Sequence, residues 1–379
     1  MIKNRILIAP NSFKECADSV TIAELIKDNL NHLENAELIV KPISDGGDGF
    51  LNVCNYYFGG EIRTYKISTA YDETILDCPV LYIESKKEIY IESAEVLGLK
   101  KVPLTFRNPL KLSSKGLGEL FLKIKQEIKQ NKLNVEKVYV GIGGTATIDM
   151  GLGMMSKLGL KLIKASGEEV NVIPENFSIT KSIDYNFHKL PFEIIPILDV
   201  TNPLLGRSGG IRIFGKQKGA NDNTISYLEK SFNHIVNLLN NKGLTVSSKL
   251  LSGAGGGIPA ALQIFYNSRT FPSSEFIKSR LGIQGYKENI DYLLTGEGAY
   301  DAQSDSGKGV KTLLEMFGSD SKQIFLISGK ISGSSFKNLP KKVYPIELIK
   351  YFANEEDSIV NFREGIEETC KEIMKQINF

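Results

Sequence analysis

Three acids, Glu297, Asp301 and Asp305, fall within the stretch YLLTGEGAYDAQSDSGKG, residues 292–309. Gly296 and Gly298 flank the first acid, and Gly307-Lys308-Gly309 closes the run. Such a set serves a phosphate cradle, an acid–base site or a polar turn, and the spacing alone does not choose. Two other loops carry comparable groups. PNSFK holds Asn11, Ser12 and Lys14, and SDGGDG holds Asp45 and Asp48. Each is a common surface turn by itself. Together at one sheet edge they offer an ammonium, a hydroxyl, carboxylates and glycine amides, which suits phosphoryl transfer more than hydride transfer. In ILDVTNPLLG, Asp199 ends an apolar run and is followed by Asn202 and Pro203. A carboxylate there caps a turn, acts as a general base or ligates a metal.

Glycine-rich loops supply the other candidate chemistry. KVYVGIGGTATIDMGLGM reads as strand, turn and helix, with Gly141, Gly143 and Gly144 exposing amides beside the hydroxyls of Thr145 and Thr147. Backbone N–H groups near a helix N-terminus suit an anion, and a tight structural turn explains the same glycines equally well. LLSGAGGGIPAAL places Gly253, Gly255, Gly256 and Gly257 before a small-residue helix, for a close ligand approach or for helix–sheet packing. GGIRIFGKQKG approaches a P-loop, but Gln217 stands where Ser or Thr should hold magnesium. The alternation of IRIF reads as a strand instead of a cradle, so the P-loop is rejected. Lys216 and Lys218 remain able to meet a phosphate as point charges.

Composition removes several classes. The 379 residues carry 46 basic and 44 acidic side chains, a balance of +2 that argues against bulk neutralisation of nucleic-acid phosphates. Four cysteines lie far apart with no CxxC, and three histidines complete no zinc or iron–sulfur spacing. Free thiols in a reducing cytoplasm are expected. MIKNRILIAPNSF has too short an apolar core for a signal peptide, and no run reaches membrane-spanning length. A cytoplasmic protein with no membrane partner is expected.

The elements that must position these groups follow from apolar patterning. RILIA and AELIVKPI read as strands around a helix with Ile22, Leu25, Ile26 and Leu30 on one face, and Thr21 and Glu24 have capping-box spacing. A second helix runs from SDGGDGF to Tyr57. At the other end DYLLT, QIFLIS and VYPIEL read as strands, VKTLLEMF as a helix and SIVNFREGIEETCKEIMKQI as a closing amphipathic helix. Two strands at one end and three at the other make a five-stranded parallel sheet split by an insertion. In the flavodoxin-like order 2-1-3-4-5, the first and third strands flank the switch point where ligands sit. The third strand is expected over Asp291–Thr295, with the acidic stretch as the loop after it. The expected organisation is two α/β domains. A doubly wound parallel sheet comprises residues 1–68 and 287–379. A mixed α/β domain over 69–286 interrupts it, starting with a TILDCPVLYI/EIYIES hairpin, and the active site lies in the interdomain cleft.

Taken in order, IAPNSFKECADS, SDGGDG, ESAEVLGL with RNPL, GLGEL, GIGGTATIDMGLGM, DVTNPLLGRSGGIRIFGKQKGA, SGAGGGIPAAL and LLTGEGAYDAQSDSGKG resemble the bacterial-type glycerate kinase family. The likeness covers nearly the whole chain to about Gly333. It implies ATP- and Mg2+-dependent phosphorylation of D-glycerate at the 2-hydroxyl, giving 2-phosphoglycerate, and it admits a homodimer. It further implies Asp199 or Asp45 as base, and Lys14 neutralising the transferring phosphoryl group. Asn11, Ser12, Asn202, Gln217 and Lys218 would bind the acceptor. Gly141, Gly143, Gly144, Thr145, Gly255, Gly256 and Lys308 would hold nucleotide phosphates, and Glu297 and Asp301 the metal. The chain departs from the family pattern at Asn11 (usually Asp), Ile148 (usually Asn), Met150 (usually Gly) and Ala299 (usually Arg). The last removes a natural bidentate partner for a substrate carboxylate. A kinase of a different hydroxy or sugar acid, and a non-catalytic binder on the same fold, are the rival readings.

Overall fold

The computed structural model describes residues 4–244, 246–247, 251–300, 309–318, 323–333 and 339–377. Its strands are β1 (Asn4–Ile8), β2 (Ala36–Val40), β3 (Glu61–Ser68), β4 (Ile75–Ile83), β5 (Glu88–Glu92), β6 (Lys137–Ile142) and β7 (Leu160–Lys164), then β8 (Glu169–Val170), β9 (Thr180–Tyr185), β10 (Glu193–Leu198), β11 (Phe271–Pro272), β12 (Tyr292–Tyr300), β13 (Gln323–Ile331) and β14 (Val343–Glu347). The chain divides into two compact units, residues 1–57 with 272–379 and residues 58–271. The sequence reading puts the joins at 68/69 and 286/287. β3 goes with the second unit because it pairs antiparallel with β4 from Glu61↔Tyr82 to Ser68↔Ile75.

The first unit holds a five-stranded sheet in the order β14-β13-β12-β1-β2, parallel throughout. Numbered within that unit this is the expected 2-1-3-4-5, with β1 and β12 at the switch point. Ile6, Ile8, Leu294 and Phe325 face the Ser19–Leu30 and Phe362–Gln376 helices through Ile22, Ile26, Ile366 and Ile373. Leu7, Leu293 and Leu326, which alternate with them, are fully buried as well. Burial on both faces is what an all-parallel sheet requires, and it explains why these strands read as continuous apolar runs.

Three local expectations change here. The first helix starts at Ser19, and Asp18 caps it by accepting from the Thr21 N–H at 2.9 Å, so Thr21 is three residues inside the cap. Glu24 pairs with Lys27 instead of closing a capping box. The closing helix is broken at Asn361 into Glu355–Val360 and Phe362–Gln376. The chain after Thr295 is no loop: β12 runs on through Gly-Glu-Gly-Ala to Tyr300, in register with β13.

The second unit contains a mixed six-stranded sheet, β11-β10-β6-β5-β4-β3, and an antiparallel three-stranded one, β8-β7-β9. The expected hairpin is β4–β5, turned through Glu84–Lys86. The Lys115–Lys129 helix packs Leu117, Leu120, Phe121 and Ile124 into this unit's core. IRIF lies in a short helix, Gly210–Phe214, and not in a strand. Its alternation is incidental, because Ile211 is buried while Ile213 is exposed.

Candidate active site

At the switch point of the first unit, β1 ends and the chain stays sewn to β12. Ala9 N–H donates to the Leu294 carbonyl and Asn11 N–H to the Gly296 carbonyl, both at 2.8 Å. The Thr295 hydroxyl donates back to the Ala9 carbonyl at 2.8 Å. Asn11 is thereby buried, with its Oδ1 accepting from Ser12 N–H at 2.9 Å and its Nδ2 donating to Asp45 Oδ2 at 3.2 Å. Asp45 Oδ1 accepts from Gly47 N–H at 3.0 Å, so the turn after β2 braces this carboxylate. A methyl at Gly309, the first residue of the Gly309–Phe317 helix, would stand 3.6 Å from Asn11 Nδ2. The structure thus gathers Asn11, Ser12, Asp45 and a helix N-terminus. An aspartate at position 11 would set two carboxylates within hydrogen-bond distance; the Asn11 amide donates instead.

Glu297 is buried on β12, opposite Ser328 of β13. Strand alternation puts it on the Thr295 face. Gly298 points the other way, and a Cβ there would come within 2.9 Å of Lys14 N. The backbone of exposed Lys14 therefore lies on the face of β12 opposite to Glu297. Glu15 takes a left-handed φ of 71° in the same turn. Asp301 and Lys308 lie outside the described residues.

The second unit holds the remaining candidates. Asp199 follows β10 and is half-buried. Asn202 Nδ2 donates to the Ser208 carbonyl at 2.9 Å, and its own carbonyl accepts from Gly253 N–H at 2.8 Å. Gly210 N–H donates to the Pro203 carbonyl at 2.8 Å, and a Cβ on Gly210 would meet the Gly253 carbonyl, so three backbones touch here. Gln217 is exposed, and exposed Lys216 pairs with Asp222.

Lys218 is buried, donating to Thr145 Oγ1 at 3.0 Å and to the Thr147 carbonyl at 3.1 Å. Burial pulls its ammonium down to about 8, with the Asp149 charge resisting. Gly141 is a sheet residue of β6, between Glu92 of β5 and Ile197 of β10. Only Gly143 and Gly144 enter the turn, where Gly143 N–H donates to Ser93 Oγ and Gly144 is exposed. The following helix starts at Leu152, and its N-terminal amides are already met from within. Asp149, fully buried, accepts from Gly151 N–H at 3.0 Å and Gly153 N–H at 3.1 Å, and from Ser114 N–H and Oγ at 2.7 Å each. Complete burial raises the Asp149 carboxyl, and those four bonds oppose the rise. Sequence reasoning missed Asp149 and Ser114. An acid two residues before glycine, in IDMGLG, was the available signal.

The Ala254–Gly257 turn packs on this segment. Met150 N–H donates to the Gly256 carbonyl at 2.9 Å. A Cβ on Gly256, at φ +72°, would stand 2.0 Å from the Thr147 carbonyl. The two glycine loops therefore brace one another. Met150 itself is left-handed, φ 57°, the backbone that glycine adopts without cost.

The model of the glycerate kinase family matches residues 6–378. The chain is 33% identical over 310 residues to the glycerate 2-kinase of Escherichia coli, covering 80% of this chain and 79% of that protein. It is 31% identical over 325 residues to the glycerate kinase of Halalkalibacterium halodurans, covering 83% of each. The crystal structure of a candidate glycerate kinase 2 from Salmonella typhimurium superposes with a TM-score of 0.76 at 27% identity, covering 99% of this chain and 98% of that one.

Proposed function

Because this chain belongs to the glycerate kinase family, we propose that it transfers the γ-phosphoryl group of ATP to the 2-hydroxyl of D-glycerate, with Mg2+ as the metal. The observation that carries this reading in the fold is the convergence of Asn11, Ser12, Asp45 and the Gly309 helix start outside the carboxyl end of β1, beside Gly296 of β12. That is where open parallel sheets bind ligands.

The donor set fits the implied metal. Mg2+ takes oxygen ligands and is usually held by one or two carboxylates together with substrate phosphates. Among the described residues no group of three or more His, Cys, Asp or Glu forms a protein-only cage. Asp45 and Glu297 offer hard oxygen donors near the switch point, and Asp301 follows on the chain. When bound, Mg2+ neutralises charge on the transferring phosphoryl group.

The protein's own part is positioning and charge. Asn11 and Ser12 would orient the acceptor hydroxyl. Asp45 or Asp199 would take its proton as the oxygen bonds to the γ-phosphorus and ADP departs with the electrons of the broken P–O bond. Lys14 would offset the negative charge that spreads over the phosphoryl oxygens. In the second unit the exposed amide of Gly144 and the 253–257 turn would meet nucleotide phosphates. Thr145 and Lys218, tied to one another, would keep that segment in place.

Coupled ADP-release measurements over a panel of short hydroxy acids test the activity, and 31P NMR of the product tests the position of transfer. A 2-phosphoglycerate signal supports the reading. Turnover confined to another hydroxy acid replaces D-glycerate as acceptor, a result that the alanine at 299 would favour.

A further inference from the structure

We propose that Arg107 binds a phosphate of the nucleotide, its guanidinium fork working beside the Gly144 turn. The sequence builds a firm mount for it. Pro109 disfavours helical backbone at Asn108, whose Oδ1 accepts from Leu110 N–H at 3.0 Å. Arg107 itself, at φ −74° and ψ 64°, is the centre of an inverse γ-turn, closed by Asn108 N–H donating to the Phe106 carbonyl at 2.7 Å. Phe106 is anchored on Tyr71, with ring centroids 4.9 Å apart.

Two routes of contact lead from Arg107 to the glycine turn. Leu99 N–H donates to the Gly144 carbonyl at 2.9 Å, and Val102 N–H to the Leu99 carbonyl at 3.3 Å. The Val102 carbonyl in turn accepts from Arg107 Nε at 3.0 Å. On the other side, Gly219 at φ +93° approaches so closely that a Cβ there would stand 2.8 Å from the Arg107 carbonyl. The residue before it is Lys218, whose ammonium bonds Thr145.

The fold itself makes little use of this charge. Arg5, Arg63 and Arg212 each pair with a glutamate. Half-buried Arg107 has no ion pair among the described residues, and Glu95 of the same segment is already paired with Lys101 at 2.6 Å. Its Nη1 and Nη2 groups donate to no described residue. One bond to the Val102 carbonyl is a task for any neutral donor. An unfilled guanidinium fork matches two oxygens of a phosphate, and the exposed Gly144 turn supplies backbone beside it.

This inference rests on the Gly144 turn being the nucleotide end of the site. The test compares Arg107→Gln and Arg107→Lys with the unaltered protein, by calorimetric titration of ATP with Mg2+ and of adenosine, and by initial rates with D-glycerate. Arg107→Gln should lower the affinity for ATP and raise its KM about tenfold or more, with adenosine binding and the KM for glycerate within about twofold. Arg107→Lys keeps the charge but loses the fork, so it should fall between, and it decides the matter if Arg107→Gln does not fold. Equal losses for ATP and adenosine, or an effect on thermal unfolding alone, overturn the proposal while leaving glycerate phosphorylation standing. A rise in the KM for the acid in place of that for ATP also overturns it, because the fork would then hold the acceptor carboxylate. Failure of the unaltered protein to bind ATP removes the nucleotide reading and this inference together.

Discussion

Replacing Asp149 by asparagine changes one atom in the second unit, and the structure sets the cost. Oδ2 receives three donors, the Ser114 N–H, the Ser114 hydroxyl and the Gly153 N–H, while Oδ1 receives the Gly151 N–H. The amide oxygen must keep the crowded Oδ2 position, which turns the NH2 toward the Gly151 N–H, donor against donor. One charge-assisted hydrogen bond, worth about 1.5–3 kcal/mol, is lost, and an orphaned buried N–H costs about 1–3 kcal/mol more. Asp149→Asn should therefore destabilise by about 3–5 kcal/mol. Lys218 loses its counter-charge in the same step. In a Lys218→Met background the added cost of Asp149→Asn should accordingly be smaller, by about 1–3 kcal/mol. Urea unfolding of the four proteins closes this cycle, provided the slope is common to all. A change below about 1 kcal/mol for Asp149→Asn, or equal losses in both backgrounds, would refute the account of a buried carboxylate organising the turn.

Four further outcomes are expected. Lys218 is held at about 8 in the folded protein against 10.5 when unfolded, so the folded state releases its proton first. Its burial penalty is fully present below about pH 8 and is relieved as pH rises toward 10.5, adding about 3 kcal/mol of stability over that window. Lys218→Met should flatten this slope in unfolding curves taken across it. Met150→Gly would release about 1–2 kcal/mol of left-handed strain but forfeit about 2–5 kcal/mol of buried side chain, so thermal unfolding should show net destabilisation despite the family's glycine. Glu297→Gln should weaken ATP binding in the presence of Mg2+ far more than in its absence, by calorimetry; equal losses would give the side chain a structural role. Asp199→Asn should leave the circular dichroism spectrum intact and lower turnover by ~10²–10⁴-fold, and near-normal turnover would transfer the base role to Asp45.

What the sequence disclosed follows from how local each signal is. β1 and β13 stand out because strands buried on both faces need unbroken apolar runs. The strand order followed from two runs at one end and three at the other. The extension of β12 was hidden because Gly296 and Gly298 read as turn residues. In the sheet they serve close approach: a Cβ on Gly296 would collide with the Ile327 carbonyl, and one on Gly329 with the Gly298 carbonyl. Asp18 and Thr21 compete as caps on type alone, and only the backbone chooses between them. The tie between Lys218 and Thr145 joins residues far apart in the chain through one buried hydrogen bond, and no spacing rule anticipates it. Motif order carried the candidate site further than periodicity did, since Asn11, Asp45 and Gly309 meet only across strand ends.

The central strand pair of the first unit has a consequence for how the protein comes to exist. β1 and β2 precede the whole of residues 58–271 in the chain, yet the partner of β1, β12, begins only at Tyr292. Until then β1 and β2 are a two-strand fragment with an apolar, unpaired edge, too small to hold together in water. Residues 58–271, by contrast, are contiguous and carry their own core, so they can fold while the ribosome is still at work. Closing a loop of that length adds little entropy if it is already a folded body whose ends are held. The order of events is then inner unit first, outer sheet last. The interval between them is when an exposed strand edge invites aggregation or capture by a chaperone.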